Sequence, residues 1–191
     1  MTKTQASRPI VPATFFVELL LPSAIPMLLT AALVILVGES WPRNIPPGSG
    51  LKVAGFGASV LTSLIVWQFI TRSIGDKRVH KMAAVICGVV GLMGWPVWSV
   101  GVLPSVNGFS LGPGVSVRMT LTRTEITTVS RSRAFNHWAW LRPEVPTDRV
   151  KAGRYFISEE TYQRWNDQRP STVTVTISKG LLGAQIVTGF E

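Results

Sequence analysis

The 191-residue chain is 46% hydrophobic and only 15% charged, with a mean hydropathy of +0.30 and a formal net charge of +9. Soluble domains carry about 25% charged residues, so this composition excludes an ordinary soluble enzyme, a disordered chain and a collagen-like repeat. The single cysteine, Cys87, excludes an intramolecular disulfide and a cysteine-held zinc or iron–sulfur centre, and no cofactor is expected.

The first apolar run, Phe15 to Val37, spans 23 residues with one charge, Glu18. A secretory h-region covers about 7 to 15 residues and ends at small residues, so the longer run here reads as a retained anchor. Pro22 and Pro26 each remove a backbone donor, which predicts a kink or a short interfacial helix before the span proper. Glu18 lies at headgroup level or, if deeper, is an intramembrane acid facing a partner or cavity.

Two further runs, Val53 to Ile70 and Met82 to Leu103, hold 18 and 22 residues without a charge. Each run is long enough to cross roughly 30 Å of hydrocarbon as a helix. Small residues recur at helical spacing in both, at Ala54, Ala58 and Thr62, at Gly55, Ser59 and Ser63, and at Ala84, Gly88, Gly91 and Gly94. Small side chains let helix backbones approach where lipid supplies no hydrophobic drive for association. Ala54, Gly55, Ala58, Ser59, Gly88 and Gly91 are the candidate packing positions, among these helices or onto another membrane protein.

Between those runs lies a basic loop whose Arg72, Lys77, Arg78 and Lys81 form a topology signal and an attraction for anionic lipid headgroups. It has too few charges and no interleaved aromatics for nucleic acid. With Lys3 and Arg8 these make six basic residues on one side of the membrane, against Arg43, Lys52, Arg118 and Arg123 near the spans on the other. That excess predicts a cytoplasmic N-terminus and a periplasmic C-terminal domain in a bacterial inner membrane.

Residues 104–113, rich in Gly, Pro and Ser, read as a linker, and 114–191 carry eleven Lys and Arg against seven Asp and Glu, a solvated domain. Val115, Val117, Met119 and Leu121 alternate with polar residues, which predicts a half-buried strand. Strands are also expected within 125–133 and 135–141, at Arg154 to Ile157, at Val173 to Ile177 and at Ala184 to Val187. Ser158 fits an N-cap, with Glu159 and Glu160 in the first turn of a short helix through Trp165.

The expected fold is thus an integral membrane α-helical protein with three transmembrane helices (about 15–37, 53–70 and 82–103), a linker, and a small, mainly-β extracytoplasmic domain at 114–191. An antiparallel barrel or sandwich suits that strand order. Phe156-Ile157-Ser158, Tyr162, Val173-Thr174-Val175 and Gly180-Leu181-Leu182-Gly183, within about residues 150–187, resemble the small β domain of uncharacterised bacterial membrane-protein families of unknown function. Those proteins often place the domain between or before spans, whereas here it follows them. The resemblance implies a fold and no reaction.

The domain has one histidine, His137, no cysteine and no G-x-S-x-G elbow, and Glu159 and Glu160 are adjacent and point apart on a helix. Catalysis is not expected. Arg131 and Arg133 share one strand face, as do Trp138 and Trp140. With His137 they form a candidate partner-binding patch, because Arg and Trp dominate interface hot spots. The same patch suits anionic lipid or polysaccharide.

The expected role is a non-catalytic accessory or assembly subunit of an inner-membrane complex. Its partners would be membrane proteins or a second copy of itself, anionic lipid headgroups and no nucleic acid. A self-sufficient exclusion or immunity factor is the alternative, and a small transporter a weaker one, since the spans hold no charge pair and no inverted repeat.

Overall fold

A computed structural model describes residues 14–37, 45–128 and 135–191. Among these, 14–31 with 53–102 form one compact unit and 32–37, 45–52 with 103–191 a second.

The first apolar run is divided into α1 (Phe15–Glu18) and α2 (Leu21–Val37). Pro22 cannot donate to the Glu18 carbonyl, so the new helix starts from the Leu20 carbonyl, which accepts from Ser23 and Ala24 at 3.1 and 3.0 Å. Pro26 similarly leaves the Pro22 carbonyl without its helical donor. That carbonyl lies against Gly94, where a Cβ would come within 2.9 Å. At 17 residues α2 is a short apolar helix. The two described helices long and apolar enough to cross a membrane are α3 (Leu51–Thr71) and the 32-residue helix Lys77–Gly108.

That long helix comprises α4 (Lys77–Val97), a π-helical turn (Trp98–Val102) and α5 (Leu103–Gly108). Pro104 has no N–H for the Val100 carbonyl and its ring crowds it, and a widened turn ahead of it absorbs the misfit. The segment read as a linker from residue 104 is therefore helical through Gly108. Buried Asn107 then ties the helix end to the turn before β5, donating to the Ala184 carbonyl (3.1 Å) and accepting from Leu182 N–H (2.9 Å).

Within the helical unit, small residues make the closest contacts. The Ser59 hydroxyl donates to the Gly91 carbonyl, and a Cβ on Gly91 would run into the Ser63 hydroxyl. A Cβ on Gly55 would meet the Ser99 backbone at 2.9 Å, and one on Gly101 would meet Thr30. At the other end of the unit Phe15 and Leu19 pack with Val66, Ile70, Val79, Ala83 and Cys87. Two of the expected packing positions make no close contact between these helices. Ala54 is exposed and Gly88 meets nothing within 4 Å of its would-be Cβ, because α3 and α4 turn their Gly55-Ser59-Ser63 and Gly91 ridges inward instead. Ala58 is half-buried.

In the second unit, β1 (Val115–Thr128), β2 (Phe135–Pro143), β3 (Gly153–Ile157), β4 (Thr172–Lys179) and β5 (Gln185–Phe190) form one antiparallel sheet in the order β3-β2-β1-β4-β5. It is an open half-barrel, neither a closed barrel nor two stacked sheets. One face is covered by α6 (Glu159–Gln168), whose Ser158 cap accepts from Thr161 N–H at 3.1 Å. The core between them holds Met119, Leu141, Val150, Tyr155, Ile157, Trp165, Val173, Val175, Ile177 and Val187. Alternation along the strands puts the core residues on this face, and Thr, Ser and Arg together with Trp138, Trp140 and Phe156 on the other.

Candidate functional site

The open face of the sheet carries an aromatic and cationic ladder, built by one irregularity in β1. The register of β1 on β2 shifts between Leu121 and Arg123, so Thr122 is an extra, bulged residue. Before the bulge the odd-numbered residues Val117, Met119 and Leu121 face the core. After it the odd-numbered Arg123, Glu125 and Thr127 face outward, opposite Trp140, Trp138 and Asn136. β3 adds Arg154 opposite Trp140 and Phe156 opposite Trp138.

These side chains satisfy one another across three strands. Trp138 Nε1 donates to Thr127 Oγ1 at 2.8 Å and Trp140 Nε1 donates to Glu125 Oε2 at 2.9 Å. The Arg154 guanidinium lies 3.9 Å from the Trp138 ring centroid and that of Arg123 lies 4.9 Å from Trp140. Phe156 meets Trp138 edge to face with centroids 5.4 Å apart. Glu125 sits 3.9 Å from both arginines, and with Arg123 63% exposed that pair contributes no more than about 1 kcal/mol. The stacking fixes the indoles while leaving them half-buried at the surface, an arrangement suited to recognition with little side-chain ordering cost.

Beside Trp140 a recess of about 380 Å³ opens between Thr122, Arg123, Leu141, Arg142, Ala152 and Gly153. The exposed Arg142 side chain makes no ion pair or hydrogen bond among the described residues.

Of the residues singled out from the sequence, Trp138 and Trp140 are in this ladder, while Arg131 and Arg133 lie outside the described residues. His137 is not in the ladder: alternation turns it to the α6 side, where its ring meets Tyr162 at a tilt with centroids 5.0 Å apart. The residues that sequence reasoning missed are Arg123, Glu125 and Arg154. Simple period-two counting from Val115 puts Arg123 on the core face, and only the bulge reverses it.

The basic loop closes on itself. Asp76 caps α4 by accepting from Arg78 N–H at 2.8 Å, His80 Nε2 contacts the Ile74 carbonyl at 2.5 Å, and Trp67 Nε1 donates to the His80 carbonyl at 3.0 Å. Arg72, Lys77, Arg78 and Lys81 remain exposed, with Arg72 over the Phe69 ring. Glu18 ends α1, half-buried and without a cation partner among the described residues.

Tyr155, in the sheet core, donates to the Lys151 carbonyl at 2.6 Å, and burial pushes its phenol up to about 12. Among the described residues no group of three or more His, Cys, Asp and Glu could hold a metal ion. No protein-family model, no curated protein and no solved structure matches the chain.

Proposed function

We propose that this chain is a non-catalytic accessory or assembly subunit of a bacterial inner-membrane complex, anchored by its apolar helices and docking a partner through the open face of its β domain. The observation that carries the membrane anchor is the burial pattern of the long helices. Only 28% of the most apolar stretch of α3, and 33% of that of the Lys77–Gly108 helix, is buried. A core helix of a soluble protein would be mostly buried, whereas here Val60, Leu61, Leu64, Ile65, Val85, Leu92 and Met93 face outward. Such a surface suits lipid and neighbouring transmembrane helices. On this reading α2 is the third, shorter span.

The docking half rests on the ladder. Trp138, Trp140, Arg123 and Arg154 are the residue types that dominate interface hot spots, held rigid and displayed on one face. The exposed Arg72, Lys77, Arg78 and Lys81 suit a cytoplasmic loop against anionic headgroups, which supports a periplasmic β domain.

Purification of the tagged full chain in mild detergent tests the proposal. A partner co-purifying in fixed stoichiometry supports a subunit. A lone homo-oligomer contradicts it and supports a self-sufficient factor. A periplasmic reporter fused after Glu191 should be active and one inserted within 71–81 inactive; the reverse pattern contradicts the orientation.

A further inference from the structure

The geometry points to the recess beside Trp140 as a binding site for the phosphodiester headgroup of an anionic phospholipid, with Arg123 and Arg142 as its cationic walls. This rests on the membrane reading above and adds to it a specific lipid site on the β domain.

Charge comes first. Of the two guanidiniums lining the recess, Arg142 has no carboxylate partner among the described residues, and the only carboxylate near Arg123 is Glu125 at 3.9 Å, shared with Arg154. Two arginines lining one cavity, with a single acid that Arg123 shares with Arg154, leave a net positive recess among the described residues, and guanidinium groups match phosphate oxygens in shape as well as charge. The bulged Thr122 lines the same recess, and Leu141, Ala152 and Gly153 give it an apolar wall against which a glycerol backbone can lie. A volume of about 380 Å³ admits one headgroup.

Position distinguishes a lipid from other anions. Gly153, in the wall of the recess, is so close to Pro47 that a Cβ there would come within 2.7 Å of the Pro47 ring. Pro47 precedes by four residues the start of α3 at Leu51, and the uncharged run begins at Val53. The recess wall thereby touches the stretch of chain that leads into the apolar helix, and four residues of chain reach at most about 14 Å, so on the membrane reading the span's own connectivity keeps the recess near the headgroups of one leaflet. Lys151, whose stem packs on Gly48, lines with Arg149 and Asp148 the cleft formed with Pro46–Ser49, two cations against one acid beside the same stretch of chain. Indoles prefer that interface, and Trp140 is in the recess wall.

The test is native mass spectrometry of the full chain in nonionic detergent, titrated with phosphatidylglycerol or phosphatidylcholine. Phosphatidylglycerol should be retained and phosphatidylcholine not. Arg142→Gln, at an exposed side chain with no described partner, should weaken retention roughly fivefold, and adding Arg123→Gln should weaken it by about as much again. Near-ultraviolet circular dichroism of the tryptophans shows whether each variant keeps its fold, and Arg142→Glu supplies a second probe that leaves the Arg123–Trp140 stack alone. Equal retention of the two lipids, or undiminished phosphatidylglycerol binding in folded Arg142→Gln and Arg142→Glu, overturns the site. Displacement of the lipid by an equal concentration of soluble glycerol phosphate, or by an acidic oligosaccharide, overturns the lipid as its ligand. Alkaline carbonate extraction separates this from the membrane reading: a chain released from membranes removes the spans, whereas one that stays but ignores headgroup charge removes only the site.

Discussion

In the helical unit the residues at the closest contacts are small, Gly55, Ser59, Ser63, Gly91, Gly94 and Gly101, and most of the large apolar side chains face outward, the cluster around Phe15, Leu19, Val66 and Ile70 apart. In the β domain the order is reversed: Met119, Leu141, Tyr155, Ile157 and Trp165 are inside, and threonines and arginines cover the open face around the half-buried Trp138, Trp140 and Phe156. One chain thus follows two opposite burial rules. Water rewards hiding large apolar side chains, at about 25 cal/mol per Å², and the β domain is organised by that reward. Lipid would give no such reward, so on the proposed membrane reading backbone proximity and the Ser59 to Gly91 hydrogen bond do much of the work of holding the helices.

Four substitutions or titrations sharpen or break this contrast. Trp165→Ala should have the largest effect. Trp165 is 2% exposed against the sheet and meets Phe190 edge to face, so its removal costs about 3–5 kcal/mol and a domain this small loses its fold. Urea unfolding followed by far-ultraviolet circular dichroism should show loss of the sheet transition at low denaturant, with helical signal retained. Loss of both signals together would join the two units into one cooperative fold.

Gly91→Leu should come next, at about 1–3 kcal/mol from overpacking against Ser63 and Ser59. Gly88→Leu, three residues earlier with open space around it, should be nearly neutral. Thermal unfolding in detergent distinguishes the pair, and equal effects would mean that α4 does not meet α3 through Gly91.

Alkaline titration probes the water-side core. Because burial raises the Tyr155 phenol from its ordinary value of 10 to about 12, the folded state holds that proton more tightly than the unfolded state. The resulting stability is fully present below pH 10 and lost as pH rises through about 12. Tyrosinate absorbance should show Tyr155 ionising near that upper value, and Tyr155→Phe should flatten the loss of stability across that window. Ionisation of Tyr155 at its ordinary value would place it outside the core.

The smallest effect on folding belongs to the ladder. Arg154→Ala removes a cation–π contact worth about 0.5–1 kcal/mol at an exposed site. Partner retention should nevertheless fall, and more steeply as salt is raised, because exposed arginines act through screened electrostatics. Retention unchanged in both Arg154→Ala and Trp138→Ala would move docking to the helices.

The strands were legible where alternation is unbroken, as in Val115 to Leu121 and Val173 to Ile177, and the Ser158 cap with its two glutamates marked α6, which runs on to Gln168. The pairing of Trp138 with Trp140 on one face followed from the same period. Their cationic partners did not, because nothing in Thr122-Arg123-Thr124 distinguishes a bulge from continuing strand, and Arg154 reaches the ladder only through long-range pairing of β2 with β3. Among the helices, small-residue spacing showed that close packing was available. It offered two adjacent ridges on α3, and choosing Gly55-Ser59-Ser63 over Ala54-Ala58-Thr62 depends on the rotation of α3 against α4, which no local pattern records.

The central claim, two burial rules for two solvents, is tested most directly by nitroxide accessibility in liposomes. Spin labels would be placed in turn at Leu61 on α3 and Thr174 on β4 in a Cys87→Ala background. The account expects the Leu61 label to be relaxed by oxygen, which partitions into lipid, and shielded from a water-soluble nickel chelate, with Thr174 showing the opposite. A Leu61 label reached by the nickel chelate as readily as Thr174 would contradict it.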